Sequence, residues 1–232
     1  MKAIVLAGGL GTRLSEITTD IPKPMAPIGT RPFLEYLLDY LVEQRAEQVI
    51  LAVSHKWEVI HKHFGDTYRG MLLKYSVEDE PLGTGGAIRQ ALDTIPDDEV
   101  IVLNGDTLFQ VELEAMAATY HRGKALLTIA LKQVADCGRF GRVKISGNGV
   151  ITEFMEKSTT SSGWINGGIY MLNRRLLDDF QMPARFSFEQ DLVGPNISRI
   201  RPVAFQSSAY FIDMGAPEDY KRAQREIGGV QC

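Results

Sequence analysis

Several features that would place the chain outside the cytoplasm are scarce or absent. The 232 residues include only two cysteines, Cys137 and Cys232, which cannot build a disulfide framework and suit a reducing compartment. No apolar run approaches the roughly 20 residues that span a bilayer. The apolar run Lys2–Leu6 is too short for a secretion signal. These absences predict a cytoplasmic protein with no membrane partner.

Positive charge is also in short supply. The formal net charge is −4, and no block of lysine or arginine is present, which excludes a nucleic-acid-binding surface. Hydrophobic residues make up 44% and charged residues 23%, as in an ordinary globular protein. Without repeats or a Gly/Ser-rich linker, the sequence predicts a single domain over residues 1–232. The oligomeric state is left open, a homo-oligomer included.

Strand and helix patterns alternate through the first half of the chain. The periodicity predicts strands at Lys2–Leu6, Gln48–Val53, Leu72–Val77, Val100–Leu103 and Ala125–Leu131, and helices at Phe33–Ala46, Trp57–Phe64, Gly85–Leu92 and Leu113–His121. Such alternation predicts an α/β fold with a mixed, mainly parallel Rossmann-like sheet, helices on both faces and ligands at the carboxyl ends of the strands.

The second half is less regular. Gly147-Asn148-Gly149 predicts a hairpin turn between the strands Arg142–Ile145 and Val150–Phe154. Further strands are predicted at Trp164–Leu172 and Pro202–Gln206, and a terminal helix at Pro217–Ile227. This half is expected to form a smaller lobe.

The first strand runs directly into the glycine-rich turn Leu6–Leu14. Glycines let backbone N–H groups approach a ligand closely, and successive free N–H groups form an anion-binding nest. Arg13 adds a permanent cation, and Lys23 adds a second one between two prolines that stiffen its segment. A triphosphate-binding site is therefore predicted here.

Other glycine-rich motifs fit this turn less well. A P-loop needs Lys-Ser/Thr directly after its last glycine, whereas Thr12-Arg13 follows Gly11. A dinucleotide-binding fingerprint would need a third glycine where Leu14 stands. A ligand-free turn between strand and helix remains an alternative for the loop taken by itself.

The string A-G-G-x-G-T-R-L followed by P-K-P resembles the signature of sugar-1-phosphate nucleotidyltransferases, also called NDP-sugar pyrophosphorylases. The resemblance implies the nucleotide-diphospho-sugar transferase fold and transfer of a nucleotidyl group to a sugar 1-phosphate, with pyrophosphate released. It implies catalytic roles for Arg13 and Lys23. It also implies nucleotide binding by Leu6, Ala7, Gly8, Gly9, Gly11, Thr12 and Arg13.

Two aspartates follow apolar strands. Asp106 lies in Asn104-Gly105-Asp106-Thr107, and Asp213 lies in Phe211-Ile212-Asp213-Met214. Mg²⁺ takes one or two carboxylates together with phosphate oxygens and water. The pair resembles the metal ligands of the family, which implies Mg²⁺ as cofactor, with both aspartates in the catalytic set and Asp106 also beside the nucleotide. Helix capping is the alternative for Asp106 alone.

A second glycine-rich segment begins at Glu80 and resembles the loop that holds the nucleotide base. Pro81, Gly83 and Thr84 are expected to contact the nucleotide, and Glu78 to contact the base. A carboxylate only accepts hydrogen bonds, and guanine offers two adjacent donors, so Glu78 favours GTP over UTP or dTTP. An exposed acidic side chain is the alternative.

Sugar-side elements of the family are also present. The resemblance implies that Glu156 accepts bonds from sugar hydroxyls, that Lys157 holds the sugar phosphate, and that Gly141, Asn166, Gly167 and Gly168 shape the pocket. For Glu156 and Lys157 alone, an exposed ion pair is the alternative.

Within the family, the motifs are most similar to guanylyltransferases that act on D-glycero-α-D-manno-heptose 1-phosphate, which implies a precursor for cell-surface polysaccharide or S-layer glycan. Alternatives are mannose-1-phosphate guanylyltransferase and glucose-1-phosphate thymidylyl- or uridylyltransferase. A catalytically silent regulatory homologue would have lost Arg13, Lys23 or an aspartate, and all are present. A metal-dependent glycosyltransferase should show D-x-D, which Asp106-Thr107-Leu108 does not.

Overall fold

The computed structural model describes residues 1–9, 21–138, 140–155, 162–215 and 217–229. The first half of the chain forms β1 (Lys2–Leu6), β2 (Pro27–Ile28), β3 (Arg31–Pro32), α1 (Phe33–Glu43), β4 (Gln48–Val53), α2 (Trp57–Phe64), β5 (Thr67–Tyr68), β6 (Met71–Val77), α3 (Gly83–Leu92), β7 (Glu99–Asn104), β8 (Thr107–Phe109) and α4 (Leu113–Gly123). A short 3₁₀ turn covers Lys23–Met25.

The second half forms β9 (Leu127–Val134), β10 (Val143–Ile145), β11 (Ile151–Phe154), β12 (Gly163–Asn173), α5 (Arg175–Asp178), α6 (Ile197–Ile200), β13 (Val203–Ser207), β14 (Phe211–Asp213) and α7 (Pro217–Glu226). A π-helical turn covers Phe188–Val193. Within the described residues, no helix combines the length and apolar character that crossing a membrane requires.

The chain divides into two units, and it passes between them more than once. Unit 1 comprises Met1–Pro81, Leu103–Leu108 and Phe211–Cys232, and unit 2 comprises Leu82–Val102 and Phe109–Tyr210. The expectation of one domain over the whole chain stays a prediction.

Unit 1 is built on a parallel sheet. β1 pairs with β4, and β4 pairs with β6, both in parallel, while the short β5 adds an antiparallel edge. β1 and β4 are apolar and largely buried, as expected for strands covered on both faces. Leu6 lies opposite Ala52, and Val53 opposite Val77. The residues that follow these three strands therefore share one edge of the sheet.

Helix α1 shows how local chemistry sets an element boundary. Its buried stripe includes Phe33, Leu37 and Leu41, at the spacing that predicts a helix. The predicted helix continued to Ala46, but the helix ends at Glu43. Arg45 adopts a left-handed φ of 58°, and the Ala46 amide donates to the Leu41 carbonyl (2.9 Å). This closing bond satisfies a carbonyl of the last turn and stops the helix.

Unit 2 is organised around the long strand β12. β12 pairs antiparallel with β9 and with β10, β13 runs parallel to β9, and β10 pairs antiparallel with β11. The predicted hairpin is confirmed, since Gly149 takes a φ of 79° and its amide donates to the Ser146 carbonyl (3.0 Å). Glycine adopts this left-handed conformation without steric cost.

Candidate active site

The edge of the unit 1 sheet brings Gly8 and Glu78 together. The Ser54 hydroxyl donates to the Gly8 carbonyl (2.6 Å), and the Glu78 amide donates to the Val53 carbonyl (2.8 Å). A Cβ added at Gly8 would lie 2.9 Å from Glu78 Oε1 and 3.3 Å from Ser54 Oγ. A side chain at position 8 would therefore push the Glu78 carboxylate aside, and glycine leaves room for it.

A cavity of about 490 Å³ opens at this edge, and Glu78 and Pro81 line it together with Ser54, His55 and Trp57. Its volume falls within the range of small-molecule sites. Two residues predicted to bind the nucleotide therefore face one cavity. From the sequence, His55 was assigned no role and Trp57 was interpreted as a packing residue. Both follow β4, whose carboxyl end lies at this edge.

The remaining described residues of the glycine-rich turn lie close by. Leu6 ends β1, and the amide of the buried Ala7 donates to the Ala52 carbonyl (2.8 Å). Among the described residues, a Cβ at Gly9 would meet nothing within 4 Å. Gly11, Thr12 and Arg13 of the predicted anion nest lie outside the described residues.

Asp106 follows β7 and is held beside the end of β1. The Gly105 amide donates to the Leu6 carbonyl (3.0 Å), and a Cβ at Gly105 would lie 2.5 Å from that carbonyl oxygen. The Met214 amide donates to the Asp106 carbonyl (2.8 Å), which ties Asp106 to the residue after Asp213. The two predicted metal ligands are thus backbone neighbours, although 107 positions separate them in the sequence (213 − 106).

Lys23 forms an ion pair with Asp106. It begins the 3₁₀ turn between two prolines, and Pro24 and Met25 are buried. The Lys23 side chain is only 12% exposed, whereas that of Asp106 is 36% exposed. The ammonium is therefore directed at the carboxylate and largely removed from water. We call Lys23, Asp106 and Asp213 the phosphate-side cluster.

The environment of Asp213 disfavours the charged form of its carboxyl group. Burial raises its pKa, and the negative charge of Asp106 raises it further, against the opposing effects of the Gly215 amide and Lys23. The Gly215 amide donates to Asp213 Oδ1 (2.7 Å). A carboxylate whose pKa is raised by a neighbouring carboxylate favours a cation beside the pair. The described residues contain no group of three or more His, Cys, Asp or Glu that could hold a metal ion. Asp106 and Asp213 therefore fit an ion that completes its shell with phosphate oxygens and water.

The nucleotide loop continues in unit 2. Helix α3 begins at Gly83, two residues before the predicted start, and Gly83 has a φ of 70°. A Cβ at Gly83 would lie 2.5 Å from the Phe186 carbonyl oxygen. The Thr84 hydroxyl accepts from the Phe188 amide (2.8 Å) and donates to Glu189 Oε2 (3.2 Å). The loop is thus held by Phe186 and by the first residues of the π-helical turn, Phe188 and Glu189.

The sugar-side elements of unit 2 include a break in strand pairing. Asn166 pairs with Leu131 and Tyr170 with Ile129, so four steps along β12 span two along β9. Such bulges re-aim side chains near sites. Gly168 has a φ of 74°, and its amide donates to Asn166 Oδ1 (3.0 Å).

Close packing also explains two more predicted glycines. A Cβ at Gly167 would lie 2.4 Å from the Phe109 ring. Gly141 has a φ of 79°, and a Cβ there would lie 2.8 Å from the Met155 carbonyl oxygen. Glu156 and Lys157 lie outside the described residues. The roles of all the site residues stay predictions.

Sequence reasoning missed Glu189 and Tyr170. The Tyr170 hydroxyl donates to Glu189 Oε1 (2.5 Å), and Asn166 Nδ2 donates to the Tyr170 oxygen (2.8 Å). We call Asn166, Tyr170, Glu189 and Thr84 the sugar-side network. Around Glu189 the sequence carries a helix-cap pattern, in which Ser187 precedes Gln190 by three residues. Ser187 Oγ accepts from the Gln190 amide (3.2 Å).

The fold and the two clusters agree with one class of protein. Residues 2–228 match the model of the nucleotidyl transferase family, and the chain belongs to this family of enzymes. The predictions of the family, the enzyme class and the Rossmann-like mixed sheet are confirmed. Enzymes of this class generally use a divalent metal ion.

Individual relatives and solved structures are similar to the chain over nearly its whole length. The chain is 44% identical to the D-glycero-alpha-D-manno-heptose 1-phosphate guanylyltransferase of Aneurinibacillus thermoaerophilus, over 98% of each chain. It is 46% identical to the enzyme of the same name from Campylobacter jejuni, over 95% of this chain and 97% of that one. The crystal structure of HddC from Yersinia pseudotuberculosis is 36% identical, with a TM-score of 0.88 over 97% of this chain and 98% of that one. HddC has also been crystallised in complex with GMP-PN, and that structure gives a TM-score of 0.86.

Proposed function

We propose that the chain transfers a guanylyl group from GTP to D-glycero-α-D-manno-heptose 1-phosphate, forming GDP-D-glycero-α-D-manno-heptose and pyrophosphate. The observation that carries the reaction class is the phosphate-side cluster, two neighbouring carboxylates with one lysine directed at them. The named relatives at 44% and 46% identity support the choice of substrates.

The proposed chemistry is an in-line attack of a sugar phosphate oxygen on the α-phosphorus, with pyrophosphate leaving on the opposite side. The attacking phosphate is already ionised at neutral pH, so no general base is needed. The obstacle is repulsion between anions, and catalysis is therefore mostly positioning and electrostatic stabilisation.

The described residues supply part of this stabilisation. Lys23 neutralises charge on the phosphates, and Asp106 and Asp213 are proposed to hold Mg²⁺. When bound, the ion would neutralise phosphate oxygens and orient them. Arg13 is proposed to stabilise the leaving pyrophosphate and Lys157 to align the attacking phosphate, both from the family resemblance.

Glu78 is proposed to select guanine. Its carboxylate lies at the strand edge beside Gly8 and lines the cavity of about 490 Å³. A carboxylate accepts from both N1–H and the N2 amine of guanine, whereas uracil and thymine offer one donor between two carbonyls. A glutamine amide pairs better with the latter pattern.

The test is pyrophosphate release with Mg²⁺, crossing GTP, ATP, CTP, UTP and dTTP with heptose, mannose and glucose 1-phosphates. Highest kcat/KM for GTP with the heptose phosphate supports the proposal. Highest kcat/KM with mannose 1-phosphate contradicts the sugar assignment, and preference for UTP or dTTP contradicts the guanine assignment. If no pair of nucleotide and sugar phosphate releases pyrophosphate, the catalytically silent homologue is favoured.

Glu78→Gln sharpens the nucleotide assignment. We expect kcat/KM for GTP to fall about 10- to 100-fold, because the amide leaves one guanine donor without an acceptor. Activity with UTP or dTTP is expected to rise. Glu114→Gln, the same chemical change at an exposed glutamate of α4, serves as control and should leave the ranking of the nucleotides unaltered. An unchanged ranking in Glu78→Gln would contradict the role of Glu78.

The product is an activated sugar, which is consumed by glycosyl transfer. We infer a cytoplasmic site of action, where GTP is available, and supply of a cell-surface polysaccharide or S-layer glycan. Fractionation of cells that produce the protein tests the location.

A further inference from the structure

Glu189 is the meeting point of two hydrogen-bond chains in unit 2. The first chain begins at the strand bulge. Asn166 Oδ1 accepts from the Gly168 amide (3.0 Å), and this bond leaves its Nδ2 to donate to the Tyr170 oxygen (2.8 Å). Because that oxygen accepts one bond, the Tyr170 proton points to Glu189 Oε1 (2.5 Å). The orientation of the Asn166 amide therefore depends on an acceptor at Glu189.

The second chain begins at the nucleotide loop. The Phe188 amide donates to the Thr84 hydroxyl oxygen (2.8 Å), so the Thr84 proton points to Glu189 Oε2 (3.2 Å). The Ser187 hydroxyl lies 3.5 Å from the same oxygen. Both chains thus run donor to acceptor and end on one carboxylate, which only accepts hydrogen bonds when ionised.

The residues around the Glu189 carboxylate are closely packed. Tyr170 is 1% exposed, and its ring packs edge-on against Phe188 with centroids 5.3 Å apart. The Gly85 amide donates to the Phe186 carbonyl (3.0 Å), and a Cβ at Gly85 would lie 2.1 Å from the Phe186 ring. Glu189 itself lies in the π-helical turn, a rare conformation often found at functional sites.

We propose that Glu189 is a positioning residue that orients two side chains predicted to bind substrate. These are Thr84 on the nucleotide side and, through Tyr170, Asn166 on the sugar side. This inference rests on the proposed function for the identity of the two substrates. It does not require Glu189 to touch either substrate. A carboxylate that closes both chains makes the binding of the two substrates depend on one side chain.

The network predicts a selective pattern of kinetic effects. Tyr170→Phe removes the link to Asn166 only, and we expect KM for the sugar 1-phosphate to rise about tenfold with KM for GTP unchanged. Thr84→Val removes the other link, and KM for GTP should rise about tenfold, with Thr84→Ser restoring it. Glu189→Ala should raise both KM values. Glu114→Gln, an exposed glutamate of α4, is the matched control with neither KM changed.

Hydrogen exchange of the backbone amides tests the same network without turnover. Glu189→Ala should speed exchange at Gly168 and Phe188, and Tyr170→Phe at Gly168 only. Equal effects of Tyr170→Phe on both amides and both KM values, as expected from general loosening, would overturn the proposal. So would a Glu189→Ala variant with wild-type KM values and exchange. If the wild-type protein turns over no substrate pair, the proposed function fails while hydrogen exchange still decides the role of Glu189.

Discussion

The phosphate-side cluster of unit 1 and the sugar-side network of unit 2 differ in how their side chains are stabilised. In the first, two carboxylates and one ammonium share a small region, and the pKa of Asp213 is raised by burial and by Asp106. In the second, the neutral hydroxyls of Tyr170 and Thr84 donate to Glu189, and Asn166 donates to the Tyr170 oxygen. The carboxylates of the cluster repel each other, whereas the bonds of the network join donors to acceptors.

This difference indicates two strategies of binding. Charge that is poorly compensated in the free protein is stabilised when a cation and phosphates arrive, so it contributes to binding and catalysis at a cost in stability. A saturated network contributes by holding side chains in one orientation before the substrate arrives. Substitutions in the two regions should therefore have opposite effects on stability.

Asp213→Asn is expected to have the largest effect. We expect kcat to fall about a thousandfold, because the proposed metal ligand, worth several kcal/mol of charge stabilisation, would be lost. The variant should nevertheless melt about 2–4 °C higher than the wild type at pH 7 without divalent ions. Pyrophosphate release and thermal melts measure the two quantities.

The expected rise in melting temperature follows from the raised pKa of Asp213. Folding favours the protonated carboxyl, so stability is greatest below the ordinary aspartate pKa and falls as pH rises through the folded value. Asparagine mimics the protonated form, and the difference in melting temperature should vanish at low pH. A lower melting temperature for Asp213→Asn at pH 7 would contradict the electrostatic account.

Lys23→Met is expected to reduce kcat about a hundredfold, since one cation near the phosphates is removed. With the ammonium gone from Asp106, Mg²⁺ should stabilise the variant at lower concentration than the wild type. A Mg²⁺ titration followed by thermal melts measures this shift. Lys62→Met, at an exposed lysine of α2, is the control, and a kcat equal to wild type in Lys23→Met would remove the proposed role.

Gly105→Ala compares a tightly packed glycine with an open one. A Cβ at Gly105 would lie 2.5 Å from the Leu6 carbonyl oxygen, whereas one at Gly147 meets nothing within 4 Å. We expect Gly105→Ala to lower the free energy of unfolding by about 2–3 kcal/mol and Gly147→Ala by less than about 0.5 kcal/mol. Urea unfolding measures both, and equal values would show that the backbone at Gly105 relaxes freely.

Thr128→Val is expected to have the smallest effect. Thr128 is fully buried in unit 2, and within the described part of the chain its hydroxyl has no hydrogen-bond partner. Removing that unpaired hydroxyl should raise the free energy of unfolding by about 1 kcal/mol. Thr119→Val, where the hydroxyl donates to the Ala115 carbonyl (3.0 Å), should bring no gain. Destabilisation by Thr128→Val would indicate a partner for this hydroxyl.

Much of the phosphate side could be predicted from the sequence. The carboxyl ends of parallel strands share one sheet edge, so residues that follow β1 and β6 had to approach each other. Gly8 and Glu78 do so. The proline-flanked Lys23 carried a recognisable motif, and its ion pair with Asp106 agrees with the predicted grouping of charge.

The sugar-side network could not be predicted in the same way. Glu189 lies 19 positions from Tyr170 and 105 from Thr84, and the pattern around it indicated only a helix cap. The bulge between Asn166 and Tyr170 leaves the apolar strand pattern intact, since it shifts the register without changing residue types. Neither the π-helical turn nor the carboxylate shared by two chains has a periodicity that would reveal it.

By itself the sequence determined the order of the longer strands and helices, the glycine-rich turn and the residue types of the family motifs. These depend on local periodicity, on backbone freedom at glycine and on side-chain charge, which act over a few neighbouring residues. Only the tertiary structure decided that Asp213 carries a raised pKa beside Asp106, and that Glu189 joins Thr84 to Asn166. Burial and hydrogen-bond direction depend on residues far apart in the chain, and folding alone brings these together.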